Sequence, residues 1–205
     1  MAVMFFMFKL NQEQKEYLLA LARESIEKYF ELGDVKKVIA ETVFSEERLF
    51  LEENGACFVT LTISGKLRGC IGSIEAFRPL IIDIIDNAIN AAFFDPRFAP
   101  MTKEEFLKTK TEISILTKPE SLNFSSPEEL LKKLRPGKDG VIIKKGGRKA
   151  TFLPQVWEEL PDKEDFLSHL CLKARLNHYC WQNPICWQED GVEVLTYGVE
   201  SFKQQ

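Results

Sequence analysis

Two residues with complementary chemistry lie two positions apart in the segment LRGCIG at residues 67–72. Because the side chains of a strand alternate between its two faces, a strand here would place Arg68 and Cys70 on the same face. A permanent cation beside a thiol favours the thiolate, which is the nucleophilic form of cysteine. The alternative is that Cys70 is a small buried side chain and that Arg68 pairs with a carboxylate elsewhere. The segment is therefore a candidate site, with Cys70 as its reactive group and Arg68 as an anion-binding group.

The two glycines of this segment leave free space beside the strand. Gly69 and Gly72 allow a ligand or a second backbone to approach closely, and either residue permits a bulge or a turn at the strand end. We include both as candidate ligand-binding positions.

A second candidate pair follows the most apolar stretch of the chain, where Asp95 and Arg97 bracket Pro96. The forked guanidinium of Arg97 could bind a carboxylate or phosphate, and Asp95 could accept or donate a proton. In the structural alternative, Asp95 caps a turn and Arg97 satisfies exposed carbonyl groups.

Near the C-terminus lies a group of residues whose side chains can bind metals. The group consists of His169, Cys171, His178, Cys180 and Cys186. Side chains two positions apart in a helix point in different directions, so His169 and Cys171 cannot readily bind one ion. Either histidine could act as a base for Cys70, although a histidine within an amphipathic helix more often has a structural role. The sequence therefore predicts no metal site, and it identifies no cofactor.

A basic segment carries eight positive charges against one carboxylate, that of Asp139. Its cations are Lys132, Lys133, Arg135, Lys138, Lys144, Lys145, Arg148 and Lys149. Nucleic acid or a phosphorylated ligand could bind there, but the aromatic residues that stack on bases are missing. A solvated face, with lysines that block edge-to-edge association, is the favoured interpretation.

The elements that must position the candidate residues are hairpins and helices in irregular order. Residues 57–63 and 67–71 form a predicted hairpin around a turn at Ser64-Gly65-Lys66, and residues 79–94 form a mostly buried helix. Further helices are predicted from residue 11 to residue 33, at 102–106, at 127–134 and at 165–176, and further strands at 111–117, 141–144, 148–153 and 192–202. This order favours an α+β fold with an antiparallel sheet and flanking helices.

Composition restricts the class of protein. The chain has 205 residues, 45% hydrophobic and 28% charged, with a net charge of −4, which is typical of one globular domain or two small lobes. Five irregularly spaced cysteines argue against a secreted disulfide framework and favour a reducing, cytoplasmic location. Residues 1–10 read as an apolar terminal arm, and no stretch reaches the roughly 18 apolar residues of a membrane span.

Four segments, taken together and in this order, resemble the AMMECR domain family. They are LRGCIG at residues 67–72, AAFFDPRF at 91–98, GKDG at 137–140 and GGRKATFLPQVW at 146–157. The closest resemblance is to the bacterial branch called AmmeMemoRadiSam system protein A, and it extends from about residue 11 to residue 202. The sequence departs from the family pattern at Arg175, where a glycine is common.

The resemblance implies one α+β domain over residues 11–205, with two lobes and a cleft lined partly by the cysteine motif. It implies a shared pathway or complex with a Memo-like protein and a radical-SAM protein. Leu153-Pro154-Gln155 could lead into the cleft, so Gln155 is a candidate ligand-binding residue. It implies no particular reaction.

The leading hypothesis is an enzyme, or a component of one, that acts on a small anionic molecule where Arg68, Cys70 and Arg97 converge. In this hypothesis both arginines bind the anion, Cys70 is a nucleophile or a redox-sensitive thiol, and Asp95 is an acid or base. A non-catalytic adaptor for a Memo-like or radical-SAM partner is the alternative. Nucleic-acid binding through the basic segment is weaker still.

Overall fold

The computed structural model describes residues 10–42, 52–183, 186 and 191–204. The terminal arm predicted for residues 1–10 lies outside the described residues except for Leu10, which is buried. The chain divides into two compact units, Met1–Leu116 with Glu200–Gln205, and Thr117–Val199.

The described elements alternate irregularly along the chain. The helices are α1 (Gln12–Leu32), α2 (Val35–Thr42), α3 (Leu80–Phe93), α4 (Lys103–Phe106), α5 (Pro127–Lys133), α6 (Val156–Glu159) and α7 (Lys163–Lys173). The strands are β1 (Asn54–Ile63), β2 (Lys66–Gly72), β3 (Arg78–Pro79), β4 (Thr109–Leu116), β5 (Glu120–Ser121), β6 (Gly140–Lys145), β7 (Arg148–Phe152), β8 (Glu193–Tyr197) and β9 (Val199–Lys203).

The first unit is a five-stranded sheet covered on one face by helices. Its strand order is β2-β1-β4-β9, with β3 paired to β1, and β1 runs antiparallel to β2, β3 and β4. Helix α3 packs on β1 and β2, and α1 packs on α3. The apolar faces of these elements form a single core that includes Leu18, Leu61, Ile85 and Ile113. Burial of these faces orients the sheet, because it leaves the alternate residues of each strand on the outer face.

A buried carboxylate fixes the start of α3. Asp83 is fully buried and accepts hydrogen bonds from the backbone N–H of Cys57 at 2.8 Å and from Arg78 at 2.8 Å. Ser73 and Asn87 donate to the same carboxylate at 2.6 and 2.9 Å. Four donors compensate the desolvation of this charge, so the network joins α3 to β1 and to the segment after β2.

The second unit is a four-stranded sheet in the order β5-β8-β6-β7, with antiparallel pairing. Trp157 and Phe166 stack in its core at 3.6 Å between ring centroids. The indole N–H of Trp157 donates to the carbonyl of Asp139 at 2.8 Å, so the GKDG and LPQVW segments meet inside this unit. Both segments thus have a packing role in the second unit.

The α+β prediction is confirmed, as are the hairpin of β1 and β2 and the buried helix α3. The single strand predicted for residues 192–202 is wrong, because the chain leaves the second sheet at Gly198 and enters the first as β9. Gly198 and Thr117 exchange hydrogen bonds of 2.8 and 2.9 Å at this crossing. Within the described part of the chain, no helix has the length and apolar character needed to cross a membrane.

Candidate functional site

A β-bulge decides which way the cysteine motif faces. The pairing of β1 with β2 shifts between Leu61 and Thr62, so that Leu61 lies opposite Gly69 and Thr60 lies opposite Cys70. Leu61 faces the core, and Gly69 therefore faces α3 while Cys70 lies on the outer face with Thr60. The Cys70 side chain is half-buried, and the hydroxyl of Thr60 donates to its Sγ at 3.2 Å.

The backbone of Cys70 is held on both sides by the pair predicted after the buried helix. Asp95 accepts a hydrogen bond from the Cys70 N–H at 2.9 Å, and Arg97 Nη2 donates to the Cys70 carbonyl at 3.1 Å. The two side chains also bind each other, with Nε to Oδ1 at 2.9 Å and Nη2 to Oδ2 at 2.6 Å. The structure thus brings together three of the candidate residues, Cys70, Asp95 and Arg97.

Asp95 is ionised in this arrangement. Its side chain is 2% exposed, and the bound Arg97 guanidinium holds its pKa well below the ordinary value, with help from the N–H groups of Cys70 and Arg97 and against the effect of burial. Asp95 in turn raises the pKa of Arg97, and the side chain of Cys70 adds to that rise. An aspartate held ionised in this way is a weak base and carries no proton to donate near neutral pH. The guanidinium that binds the backbone of Cys70 is that of Arg97.

Arg68 follows the structural alternative, since it pairs with a carboxylate. Its Nε and Nη2 donate to the two carboxylate oxygens of Glu105, each at 3.0 Å, and Nη2 also donates to the carbonyl of Ala99 at 2.9 Å. Arg68 lowers the pKa of Glu105 to about 2, assisted by the N–H of Thr102, which Glu105 caps at the start of α4. The positive charge of Arg68 is thereby offset.

Phe98 links the two arginines of the candidate site. The guanidinium carbons of Arg68 and Arg97 lie 5.6 and 5.5 Å from the centre of its ring. The side chain of Arg68 is 11% exposed, and its Nη1 is buried without a hydrogen-bond partner among the residues described. The side chain of Arg97 is 52% exposed. Of the two cations, Arg97 is the one that solvent and solutes reach.

The glycines of the motif have packing roles in the structure. A Cβ atom at Gly69 would lie 2.0 Å from the carbonyl oxygen of Ala91 in α3, and one at Gly72 would lie 2.3 Å from the ring of Phe58. Of the two alternatives for Gly69, close approach of a second backbone is therefore the one observed. Ligand binding at Gly69 and Gly72 stays a prediction.

The sequence missed the residues that complete the site. Thr60 contacts the thiol, Glu105 binds Arg68, and Glu112 lies opposite Thr60 on β4. Glu112 is half-buried and forms no hydrogen bond or ion pair within the ranges that the structure covers. The turn predicted at Ser64-Gly65-Lys66 already places Thr60 opposite Cys70, whereas Glu105 and Glu112 are distant in the sequence and no local pattern indicates them.

The other candidates belong to the second unit. Gln155 is exposed and precedes α6, and its side chain does not cap that helix. Several cations of the basic segment bind within the unit: Arg135 pairs with Asp139 and Lys133 with Glu129, while Arg148 donates to the carbonyl of Arg175. The described residues contain no group of three or more His, Cys, Asp or Glu side chains placed to hold a metal ion.

Comparison with known proteins gives consistent results along most of the chain. The sequence model of the AMMECR1 family matches residues 19–202. Protein MK0488 of Methanopyrus kandleri is 38% identical over 201 residues, covering 96% of this chain and 91% of that protein. Protein MJ0810 of Methanocaldococcus jannaschii is 40% identical over 198 residues, covering 95% of this chain and 92% of that protein.

A crystal structure gives the same result for the fold. The structure of PH0010 from Pyrococcus horikoshii superposes with a TM-score of 0.79 at 35% sequence identity, covering 97% of this chain and 95% of that one. These three relatives are archaeal proteins.

Proposed function

This chain belongs to the AMMECR1 family, and we propose that it is an enzyme, or a component of one, whose Cys70 thiol reacts with a small anionic molecule. The observation that carries the proposal is the position of Arg97. Its guanidinium binds the Cys70 carbonyl and is half-exposed. An anion that binds to Arg97 is therefore held beside the thiol.

Each neighbour of the thiol has a distinct role in this proposal. Cys70 is the nucleophile or redox-sensitive group, and the hydroxyl of Thr60 stabilises negative charge on its sulfur. Arg97 uses Nε and Nη2 within the protein, and its Nη1 forms no hydrogen bond among the described residues, so it is available to a carboxylate or phosphate. The guanidinium carbon of Arg68 lies 5.6 Å from the centre of the Phe98 ring, and its charge is offset by Glu105. Arg68 therefore contributes more to the packing of the site than to its charge.

Asp95 is a positioning residue in this proposal, in place of the acid or base that the sequence predicts. It is buried, ionised and bound to the N–H of Cys70 and to Arg97. These contacts fix the backbone of the nucleophile and the orientation of the guanidinium, which is how a supporting side chain keeps a reactive group in place.

The test compares two alkylating reagents that differ in charge. Iodoacetate is anionic and iodoacetamide is neutral, so the ratio of their rates at Cys70 reports attraction of the anion separately from thiol reactivity. Loss of one solvent-exposed charge near the thiol is worth about 1 kcal/mol, or roughly a fivefold change in rate. We expect R97Q to lower the iodoacetate-to-iodoacetamide ratio by about that factor.

A matched control is available in the second unit. Arg135 also forms an ion pair with a buried aspartate, Asp139, and is 69% exposed, so R135Q removes a comparable charge without touching the site. The ratio at Cys70 should be unchanged in R135Q. An unchanged ratio in R97Q, or a Cys70 that reacts no faster than the fully buried Cys57, would reject the proposal.

A second candidate function is an adaptor that docks a Memo-like or radical-SAM protein, as in the bacterial AmmeMemoRadiSam branch. The observation in its favour is the exposure of large apolar side chains in the first unit, with Phe77 66%, Phe94 54% and Leu107 79% exposed. Copurification with each partner discriminates, since a complex that survives C70A but not F94S favours the adaptor. A complex that C70A and F94S weaken equally would argue against the adaptor.

Nucleic-acid binding through the basic segment is the weakest of the three functions. It predicts an affinity that falls steeply with salt, because phosphate contacts release counterions. Binding measured at low and moderate salt tests it, and the absence of binding at low salt would exclude it.

A further inference from the structure

A row of three polar side chains crosses the outer face of the first sheet at the level of Cys70. Cys70 on β2 lies opposite Thr60 on β1, and Thr60 lies opposite Glu112 on β4. Residues paired across neighbouring strands share one face of a sheet, and the residues that flank Glu112, Thr111 and Ile113, are fully buried on the other face. Glu112 therefore lies on the face that carries the thiol, one strand beyond Thr60.

Glu112 is a half-buried carboxylate for which the protein provides no partner. Over the ranges that the structure describes, no donor forms a hydrogen bond or an ion pair with it. Lys110, two positions along β4 on the same face, is exposed and forms no ion pair with it either. By contrast, Asp83 accepts four hydrogen bonds and Asp95 binds Arg97. Partial burial of an uncompensated charge costs free energy, so Glu112 is suited to bind a cationic group from outside the protein.

Glu112 and Arg97 lie on opposite sides of Cys70. Strand β2 is at the end of the strand order β2-β1-β4-β9, and Arg97 binds the Cys70 carbonyl from that free edge. Glu112 lies on the inner side, beyond Thr60. Opposite Cβ atoms on neighbouring strands are about 5 Å apart, so the Cβ of Glu112 is roughly 10 Å from that of Cys70. After the reach of the glutamate side chain and a hydrogen bond of about 3 Å, a bound ammonium lies roughly 4–7 Å from the sulfur.

We propose that the molecule that reacts at Cys70 is a zwitterion, with its cationic group bound by Glu112 and its anionic group bound by Arg97. This inference rests on the proposed function, and it narrows the substrate class from small anions to molecules such as amino acid or short peptide derivatives. The electrophilic atom lies between the two charges, because the thiol lies between the two side chains. Glu112 also selects against purely anionic molecules, since its carboxylate repels a second negative group.

Four small disulfides test this assignment, because they offer the same reactive bond with different charges. Hydroxyethyl disulfide is neutral, cystamine is cationic, dithiodipropionate is anionic, and cystine carries both charges. In each reaction the Cys70 thiolate attacks one sulfur of the probe, the S–S bond of the probe breaks, a mixed disulfide forms and one thiolate leaves.

Mass spectrometry of a tryptic peptide reports the reaction at Cys70 alone. Trypsin cleaves after Arg68 and Arg97 but not before Pro79, so the peptide of residues 69–97 contains Cys70 as its single cysteine. The folded protein is mixed with each probe, quenched with N-ethylmaleimide and digested without reduction, and the fraction of mixed disulfide in this peptide is followed with time.

The rate with each probe is compared between variant and parent, so that the intrinsic reactivity of the probe cancels. In E112Q, the rate with cystamine should fall about fivefold, since one charge of attraction is lost. Cystine should slow by a similar factor, whereas hydroxyethyl disulfide should react at the parent rate and dithiodipropionate at that rate or faster. E16Q is the matched control: Glu16 is an exposed carboxylate on α1, in the helical layer on the other face of the sheet, and its loss should change none of the rates.

The parent protein supplies a measurement that needs no variant. Added salt should slow cystamine relative to hydroxyethyl disulfide, because salt screens the attraction between a cation and Glu112. The inference is overturned if E112Q leaves the cystamine rate unchanged, if E112Q slows all four probes equally, or if salt has no such effect on the parent.

The variant R97Q separates failure of this inference from failure of the proposed function. It should slow dithiodipropionate and leave cystamine no slower. If R97Q slows dithiodipropionate while E112Q does not slow cystamine, the site binds anions without selecting zwitterions, and only the present inference is rejected. If R97Q leaves the dithiodipropionate rate unchanged, the proposed function itself is rejected.

Discussion

The close approach of helix α3 to strand β2 depends on the absence of a side chain at residue 69. In G69A, the new Cβ atom would lie 2.0 Å from the carbonyl oxygen of Ala91 and 3.0 Å from its carbonyl carbon. Both are backbone atoms, so no side-chain rotation relieves the overlap. Helix and strand must separate by roughly 1.5 Å to restore contact at about 3.5 Å. Overpacking of this kind costs about 3 kcal/mol, which is the expected decrease in the free energy of unfolding.

The same separation reaches the candidate site, because Asp95 follows directly after α3. Its hydrogen bond from the Cys70 N–H is 2.9 Å long and would lengthen beyond the range of a hydrogen bond. G69A should therefore both lower the urea midpoint, measured by circular dichroism, and accelerate hydrogen exchange at the Cys70 amide. A stability change without faster exchange at Cys70 would mean that α3 does not transmit the strain to the site.

Gly198 provides the control substitution. A Cβ atom there would meet the Cγ2 and Oγ1 of Thr117, at 3.4 and 3.6 Å, which is ordinary van der Waals contact. We expect G198A to change the free energy of unfolding by no more than about 0.5 kcal/mol. An unfolding midpoint of G69A equal to that of the parent protein, or equal losses in G69A and G198A, would refute the reasoning.

Two further substitutions test charge and backbone strain. D95N should lower the free energy of unfolding at neutral pH by about 2 kcal/mol, below the range for a fully buried pair because Arg97 stays solvated. Because folding lowers the pKa of Asp95, its stabilisation is complete above the unfolded value of about 3.9 and is lost as the pH falls through the folded value. The free energies of unfolding of D95N and the parent protein, measured by denaturation, should thus differ less at pH 3 than at pH 7. An equal difference at the two pH values would contradict the role assigned to Asp95. Arg175 has a φ of 57°, a left-handed conformation that is strained for a residue with a side chain. R175G should therefore stabilise the protein by up to about 1 kcal/mol and raise its melting temperature. A lower melting temperature would show that the contacts of the arginine side chain outweigh the backbone strain.

Much of the local structure could be predicted from the sequence. Asn11 and Gln14 form the capping box that starts α1, with reciprocal hydrogen bonds of 2.8 and 2.9 Å. The apolar residues of α3 cover most of its circumference, and the helix is buried. Arg175, where the sequence departs from the expected family pattern, falls on a left-handed backbone position that glycine adopts without steric cost. These features are readable because their signals lie within a few residues of each other.

The candidate site could be predicted only in part. The sequence indicates Cys70, Asp95 and Arg97 as residue types suited to thiol and anion chemistry, and the structure brings these three together. The sequence left open whether Arg68 pairs with a carboxylate, because its partner, Glu105, is 37 residues away. The two strands within residues 192–202 were missed for a similar reason, since each pairs with a distant part of the chain.

By itself, the sequence determined the helix caps, the apolar faces, the hairpin and the types of residue available for chemistry, because each depends on short-range spacing. Only the tertiary structure decided that the turn consists of Ser64 and Gly65 and that a bulge then sets the facing of the cysteine motif. Without the bulge, Thr60 would lie opposite Gly69, and Cys70 would point toward α3. The bulge shifts the pairing by one residue, which buries Gly69 under Ala91 and turns Cys70 outward beside Thr60. In this register Gly69 packs against Ala91 of α3, a long-range contact that no local pattern contains.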